Sequence, residues 1–316
     1  MTNTVSVIIP SLGKESHLVR IAESIRSQDF NPALLEVVIV LNGLSDSRCA
    51  ELKKAIGTCA YSIRVEKIEE RSANKARNRG IDLAKNSLLL FLDDDCSLVG
   101  RSFLNQHVSA HLRIPTAFGV GGGYALPDSA GFFDRIYNYL QMRWLTLGSL
   151  SDGSAQFLLG GNFSVKSSVL AGNNLRFDDG IAYGGSEYEF FVKAHALGLE
   201  MCSDMPDVRH HTSETLRSLS RKHFLQGRGA AIIDQKYPGR KAVGGKSITD
   251  PSQPALTNVL LLYFNYVFWA GYHAHQKRIH LLFTRILGDT FRAFNFYRYE
   301  ILKKISGQIS DKNRNS

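Results

Sequence analysis

Three runs constrain this chain most: VSVII at 5–9, EVVIVL at 36–41 and LLLFL at 88–92. Each is too short for a globular helix and too evenly apolar for a half-exposed strand, so each predicts a strand buried on both faces. Between them, residues 17–28 place Leu18, Ile21, Ala22 and Ile25 at helical spacing, and 47–56 and 72–84 also read as helices, with a short strand at 61–65. Strand and helix in alternation imply an α/β fold, a mostly parallel central sheet with helices on both faces. Ligands of such sheets bind beyond the carboxyl ends of the strands. Three ends therefore point at one crevice: Pro10-Ser11, Asn42-Gly43 and Asp93-Asp94-Asp95.

The last of these is a problem in electrostatics. Three adjacent carboxylates repel one another, and a bound divalent cation offsets them; hard oxygen ligands suit Mg²⁺ or Mn²⁺. A solvated turn whose Asp side chains cap backbone groups is the alternative. No GxGxxG or GxxxxGK[ST] follows any of the strands, which counts against a dinucleotide site and a P-loop. The four cysteines are scattered without metal spacing, which argues against structural zinc and a disulfide framework. The N-terminus lacks the pattern of a signal peptide, so the expected location is cytoplasmic.

VSVIIPS, EVVIVLNGLSD, RSANKARNRGIDLA and LLLFLDDDC, in this order, resemble the nucleotide-binding half of the family 2 glycosyltransferases. FLLGGNFSVKSSVL, FDDGIAYGGSEYEFFVKAHALG and VRHHTSETLRSLSRKHFLQGRG extend the likeness to about Gly229. The resemblance implies a GT-A fold and inverting transfer of a sugar from a nucleotide-diphosphate donor to a hydroxyl of a glycan or lipid-linked acceptor. It implies Asp95 as direct metal ligand and Asp93 on the metal or the ribose, with Asp94 beside them. Pro10, Ser11 and Asn42 would face the base, Arg77 the nucleotide, and Gly161 and Asn162 the donor sugar or acceptor. His210-His211 stands where the family places a metal- or phosphate-contacting histidine; His211 is the expected ligand, although alternation leaves open which of the two faces the site. Glu187 matches the second member of the acidic pair and is the expected general base, while Ser186 replaces the first acid and reads as a helix N-cap. Asn42 stands where many members have Asp, which leaves UDP only slightly ahead of other nucleotides.

From Met205 onward the chain carries 18 Lys/Arg against 7 Asp/Glu, although the net charge of the whole is +9. Such a basic end suggests an anionic partner. Residues 259–272 form an apolar run short of a membrane span, and 279–305 read as an amphipathic helix with Arg278, Arg285, Arg292 and Lys303 recurring on another face. The expected organisation is a catalytic domain over 1–230, a linker over 231–253, a helical appendage over 254–308 touching the inner membrane face, and a disordered tail over 309–316. The alternative for the appendage is a helix pair packed on the domain or on a second subunit as a homo-oligomer. A nucleotidyltransferase is the alternative within enzymes, and Ser11-Leu12-Gly13-Lys14 is too slight a loop for it. A nucleic-acid-binding protein is the alternative outside them, disfavoured because the tail's aromatics follow a helical face, so no nucleic-acid partner is expected.

Overall fold

The computed structural model describes residues 4–149, 154–181, 184–238, 249–250, 252–278 and 281. The first half alternates as its apolar runs dictate: β1 (Val5–Ser11), α1 (Glu15–Arg26), β2 (Leu35–Asn42), α2 (Asp46–Ile56), β3 (Ser62–Ile68), α3 (Ala73–Leu83) and β4 (Leu88–Leu92). The chain continues through β5 (Cys96–Ser97), α4 (Phe103–Arg113), β6 (Ala117–Ala125), α5 (Phe132–Gly148), β7 (Asn162–Lys166) and α6 (Ser167–Gly172). It closes with α7 (Ser186–Ala196), β8 (Glu200–His210), α8 (Leu216–Lys236) and α9 (Ala255–His275).

One sheet of eight strands has the order β3-β2-β1-β4-β7-β6-β8-β5. The four strands on the β3 side are parallel to one another, as expected. Beyond them β6 and β8 are parallel to each other, while β7 runs against β4 and β6 and β5 against β8, so the sheet is mixed but mostly parallel, as expected. The pleat divides the core in two. Val7, Ile9, Leu90 and Leu92 pack under α1 and α2, where Leu18, Ile21, Ile25 and Leu52 meet them. Ile8, Leu89 and Phe91 face the other way, onto Ile81 of α3 and onto Phe163, Phe190 and Phe191.

The chain beyond the sheet differs from expectation. The boundary at 230 falls inside α8, which runs to Lys236. Only the first part of the helical appendage, α9, is described, and it packs on α5 and α8 through Leu261 and Phe264 against Ile136, Tyr137 and Leu219. Where α8 and α9 cross, a Cβ on Gly227 would stand 1.9 Å from the Phe268 carbonyl oxygen and one on Gly271 1.9 Å from that of Phe224. Two glycines let the backbones touch. No helix among the described residues is long and apolar enough to cross a membrane. The amphipathic segment at 279–305 and the tail at 309–316 lie, apart from Leu281, outside the described residues.

Candidate active site

The site is built where the parallel half of the sheet ends. Asp93 leaves β4, and the turn through Asp94 and Asp95 is closed by the Cys96 N–H donating to the Asp93 carbonyl at 3.1 Å. Each carboxylate then has its own partner. Asp94 accepts from the Ser11 hydroxyl at the end of β1. Asp95 Oδ1 lies 3.3 Å from His210 Nε2. Asp93 Oδ1 accepts from Arg77 Nη2 at 2.9 Å.

Arg77 is the hub. Its other terminal nitrogen, Nη1, donates to Glu187 Oε1 at 2.8 Å, so one guanidinium holds the strand-end acid and the distant Glu187 together. Its side chain is 4% exposed, against 39% and 42% for Lys75 and Arg79 of the same helix, so Arg77 is not on a solvated face. The flanking asparagines explain why. Asn74 donates to the carbonyls of Asp178 and Ile181, and Asn78 to that of Phe177, which pins the loop before Glu187 onto α3. Gly185, in the left-handed region at φ 82°, is the N-cap of α7, so Ser186 is not; its hydroxyl donates to Glu187 Oε2 at 3.0 Å.

The two glycines of the GGN segment pass across these acids. A Cβ on Gly160 would stand 2.5 Å from Glu187 Oε1, and one on Gly161 2.7 Å from Asp93 Oδ2. The Gly161 N–H donates to the hydroxyl of Tyr124 at 2.9 Å, and the Tyr124 ring packs on His210 with centroids 4.4 Å apart. Tyr124 was not anticipated; its signal was the tyrosine ending the glycine run FGVGGGYA, where small residues let neighbouring backbone approach.

Three expected residues are placed differently. The antiparallel pairing of Cys96 with His210 puts the His210 ring beside Asp95, while the His211 ring turns to Ser97 Oγ at 2.8 Å. His211 meets Asp95 only through its backbone N–H, which donates to the Asp95 carbonyl at 2.8 Å. Asn162 is fully buried and donates both amide protons to the carbonyls of Gly123 and Pro206, so it braces the sheet and does not face the crevice. Asn42 is buried as well, with its amide nitrogen on the Ser11 carbonyl at 2.9 Å. Pro10 and Ser11 end β1 as expected, although Ser11 is occupied with Asp94.

The electrostatics follow from burial. Desolvation pushes the Asp93 carboxyl up to about 6; Arg77 opposes this, and Asp95 and Glu187 reinforce it. Burial also acts against ionising Glu187, but Arg77 and the Ser186 hydroxyl outweigh it and the pKa falls below the usual range. For Asp95 the charge of His210 likewise outweighs burial, and His210 is raised in return by Asp95. Asp93, Asp94, Asp95 and Glu187 thus face one guanidinium and two imidazoles, His210 at Asp95 and His17 Nδ1 3.8 Å from Asp94 Oδ1, a site with room for more positive charge. Asp95, Cys96 and His210 offer ligand atoms within 4.8 Å of one another. Burial, with Asp95 and Asp93, holds the Cys96 thiol far above its ordinary range, so the effective donors are carboxylate and imidazole, a set that suits a hard divalent ion.

With this geometry in hand, the family is decided by a match between residues 6–172, just over half of the chain, and the family model described as glycosyl transferase family 2. The chain belongs to that family. The match favours glycosyl transfer over nucleotidyl transfer. Glycosyltransferase AglE of Haloferax volcanii is 32% identical to it over 101 residues, 31% of this chain and 33% of the relative, so the chain spans about a third of the length of the curated relative it matches. Among solved structures, the mannosyltransferase PcManGT from Pyrobaculum calidifontis in complex with GDP-Man and Mn²⁺ superimposes with a TM-score of 0.59 at 16% identity, covering 91% of this chain and 76% of that one. S. aureus TarS 1-349 in complex with UDP-GlcNAc gives 0.56 at 15%, over 86% and 74%. Both likenesses support the GT-A fold of this family 2 member.

Proposed function

We propose that this glycosyltransferase moves a sugar from a nucleoside-diphosphate donor to an acceptor hydroxyl with inversion, with Glu187 as general base. The observation that carries the reading is Arg77 gripping Glu187 and Asp93 at 2.8 and 2.9 Å, because it fixes a proton acceptor beside the strand end that receives the donor. Glu187 is held ionised, ready to accept the acceptor's proton as the oxygen attacks the anomeric carbon from the face opposite the leaving diphosphate. Gly160 and Gly161 keep side chains out of the space beside both acids.

Asp95 and His210 would hold a divalent ion, Mg²⁺ or Mn²⁺, with Asp93 beside it; when bound, such an ion neutralises charge on the leaving phosphates. The solved neighbour crystallised with Mn²⁺ and GDP-Man supports that choice. Asn42, with its amide donating to Ser11, keeps its carbonyl oxygen as acceptor for the N–H of uracil or guanine. Thymine offers the same N–H, so UDP stays only narrowly ahead of GDP and dTDP. The acceptor is a glycan or a lipid-linked sugar.

The test is nucleotide release from a panel of UDP-, GDP- and dTDP-sugars with Mn²⁺, Mg²⁺ or chelator. One donor is expected to turn over with metal only. Asp95→Ala should abolish release, and Glu187→Gln should bind the donor yet lose transfer. Undiminished transfer by Glu187→Gln removes that residue from the base role, and a panel with no binding donor removes the reading itself.

A further inference from the structure

Five of the nine exposed large hydrophobic side chains among the described residues gather on the three helices beyond the sheet: Phe132 on α5, Leu216 on α8, and Leu256, Val259 and Tyr263 on α9. Leu256, Val259 and Tyr263 follow one another at three and four residues, hence along one stripe of the helix. Leu256 and Val259 are each 61% exposed, more than a surface helix packed on its domain needs to show.

The stripe runs into positive charge. Tyr263 meets Ser220 hydroxyl to hydroxyl at 2.9 Å, and Ser220 sits between Arg217 and Arg221, both exposed. Neither arginine forms an ion pair among the described residues. From Leu216 to Ile233, α8 contains no Asp or Glu, and α9 contains no charged Asp, Glu, Lys or Arg at all. The acidic groups at the start of α8 are turned inward: Glu214 takes Lys222, and Asp134 takes the Thr212 hydroxyl and the Glu214 N–H. Those same bonds tie Phe132's turn of α5 to the start of α8, so the apolar and basic groups share one end of the helical group.

We infer that this face docks on a bilayer surface bearing anionic headgroups. Apolar side chains enter the interface while arginines meet the lipid phosphates, the pairing of forces that holds interfacial helices. A protein partner of matching shape would not require acids to be absent from Leu216–Ile233 of α8 and from all of α9, the one acid of α8, Asp234, lying at its far end on the Tyr272 hydroxyl; an anionic surface does. The site lies close by in the chain, since α8 begins six residues after His210, the histidine beside Asp95. The inference rests on the proposed function only for what the docked enzyme then does, receiving an acceptor carried by the lipid.

The test uses the full chain with phosphatidylcholine vesicles, with and without phosphatidylglycerol, read by flotation. Binding is expected only with the anionic lipid and should weaken as salt rises. Arg217→Ala and Arg221→Ala should each weaken it on the order of five-fold, and the pair Leu256→Ser with Val259→Ser should remove it. Equal binding to neutral vesicles, no binding, or unchanged binding by the variants overturns the inference. So does a dimer seen by light scattering that Val259→Ser dissolves in a protein that ignores vesicles, which would give the face to a second copy. Nucleotide release from the same preparations separates the two readings: turnover without flotation sinks only the docking face, and flotation without turnover with any donor sinks only the proposed function.

Discussion

Arg77 has its value in being a fork. A lysine there keeps the charge but has one terminal nitrogen, and cannot hold Asp93 and Glu187 at once. Arg77→Lys is therefore expected to lower kcat on the order of 100-fold, the scale of a misplaced reacting group. Arg77→Met takes the shared guanidinium from two half-buried carboxylates and is expected to cost about 1–3 kcal/mol of stability in urea unfolding. The glycines separate the roles more finely. Gly160→Ala displaces Glu187 and should reduce transfer more than donor binding, while Gly161→Ala displaces Asp93 and should raise the metal concentration needed for half-maximal rate. Kinetics in which both alanines act alike would break the division of labour. Asp93 and Asp95 were legible because charge at a strand end lies where a chain gains nothing structural from it, whereas Arg77, inside α3, and Glu187, at the start of α7, were marked only by the family resemblance. His211 and Asn162 were misread for a local reason. Neighbouring strand residues face opposite ways, and which histidine reaches Asp95 depends on the register of a two-residue strand. Asn162 looked free, but register shifts between β6 and β8 accompany carbonyls that need a donor.

At the scale of elements, α4 and β7 share a network that its residue pattern hid. His107 and His111, one turn apart on α4, both bond the Ser164 hydroxyl of β7, at 2.8 and 3.0 Å. Burial lowers His107 to about 3 and His111 to about 4, so both are neutral when folded and titrate near 6.5 when unfolded. The unfolded chain then binds more protons below pH 6.5, and stability, complete above that pH, falls as pH drops toward 4. At pH 5 each ring contributes a loss of about 2 kcal/mol; melting curves between pH 7 and 5 should show it, and His111→Gln should flatten the slope. Alpha helices and parallel strands were readable because apolar runs carry their own period. The α8–α9 contact was not, since a glycine in a helix says nothing of what will approach it. Gly227→Ala or Gly271→Ala should cost about 1–3 kcal/mol by forcing the helices apart, and a melting temperature that does not move would mean the crossing yields.

For the whole molecule, metal binding and folding should be linked. An ion that joins Asp95 on the β4–β5 turn to His210 on β8 binds only the folded chain, and at a hundred times its Kd adds about 2.7 kcal/mol. Mn²⁺ is thus expected to raise the melting temperature of the native protein and not that of Asp95→Ala; an equal rise in both would place the ion elsewhere. The short strand β5 carries a further consequence, one of timing. Its partner in β8 arrives late, as the 114-residue separation of Ser97 from His211, the residue just past that strand, makes plain. A chain leaving the ribosome completes β1 to β4 and presents its acidic turn long before His210 exists, so the proposed cation site is completed only with the last strand of the sheet. Loss of the end of β8 leaves the parallel half of the sheet with its acids and takes from Asp95 the imidazole of His210.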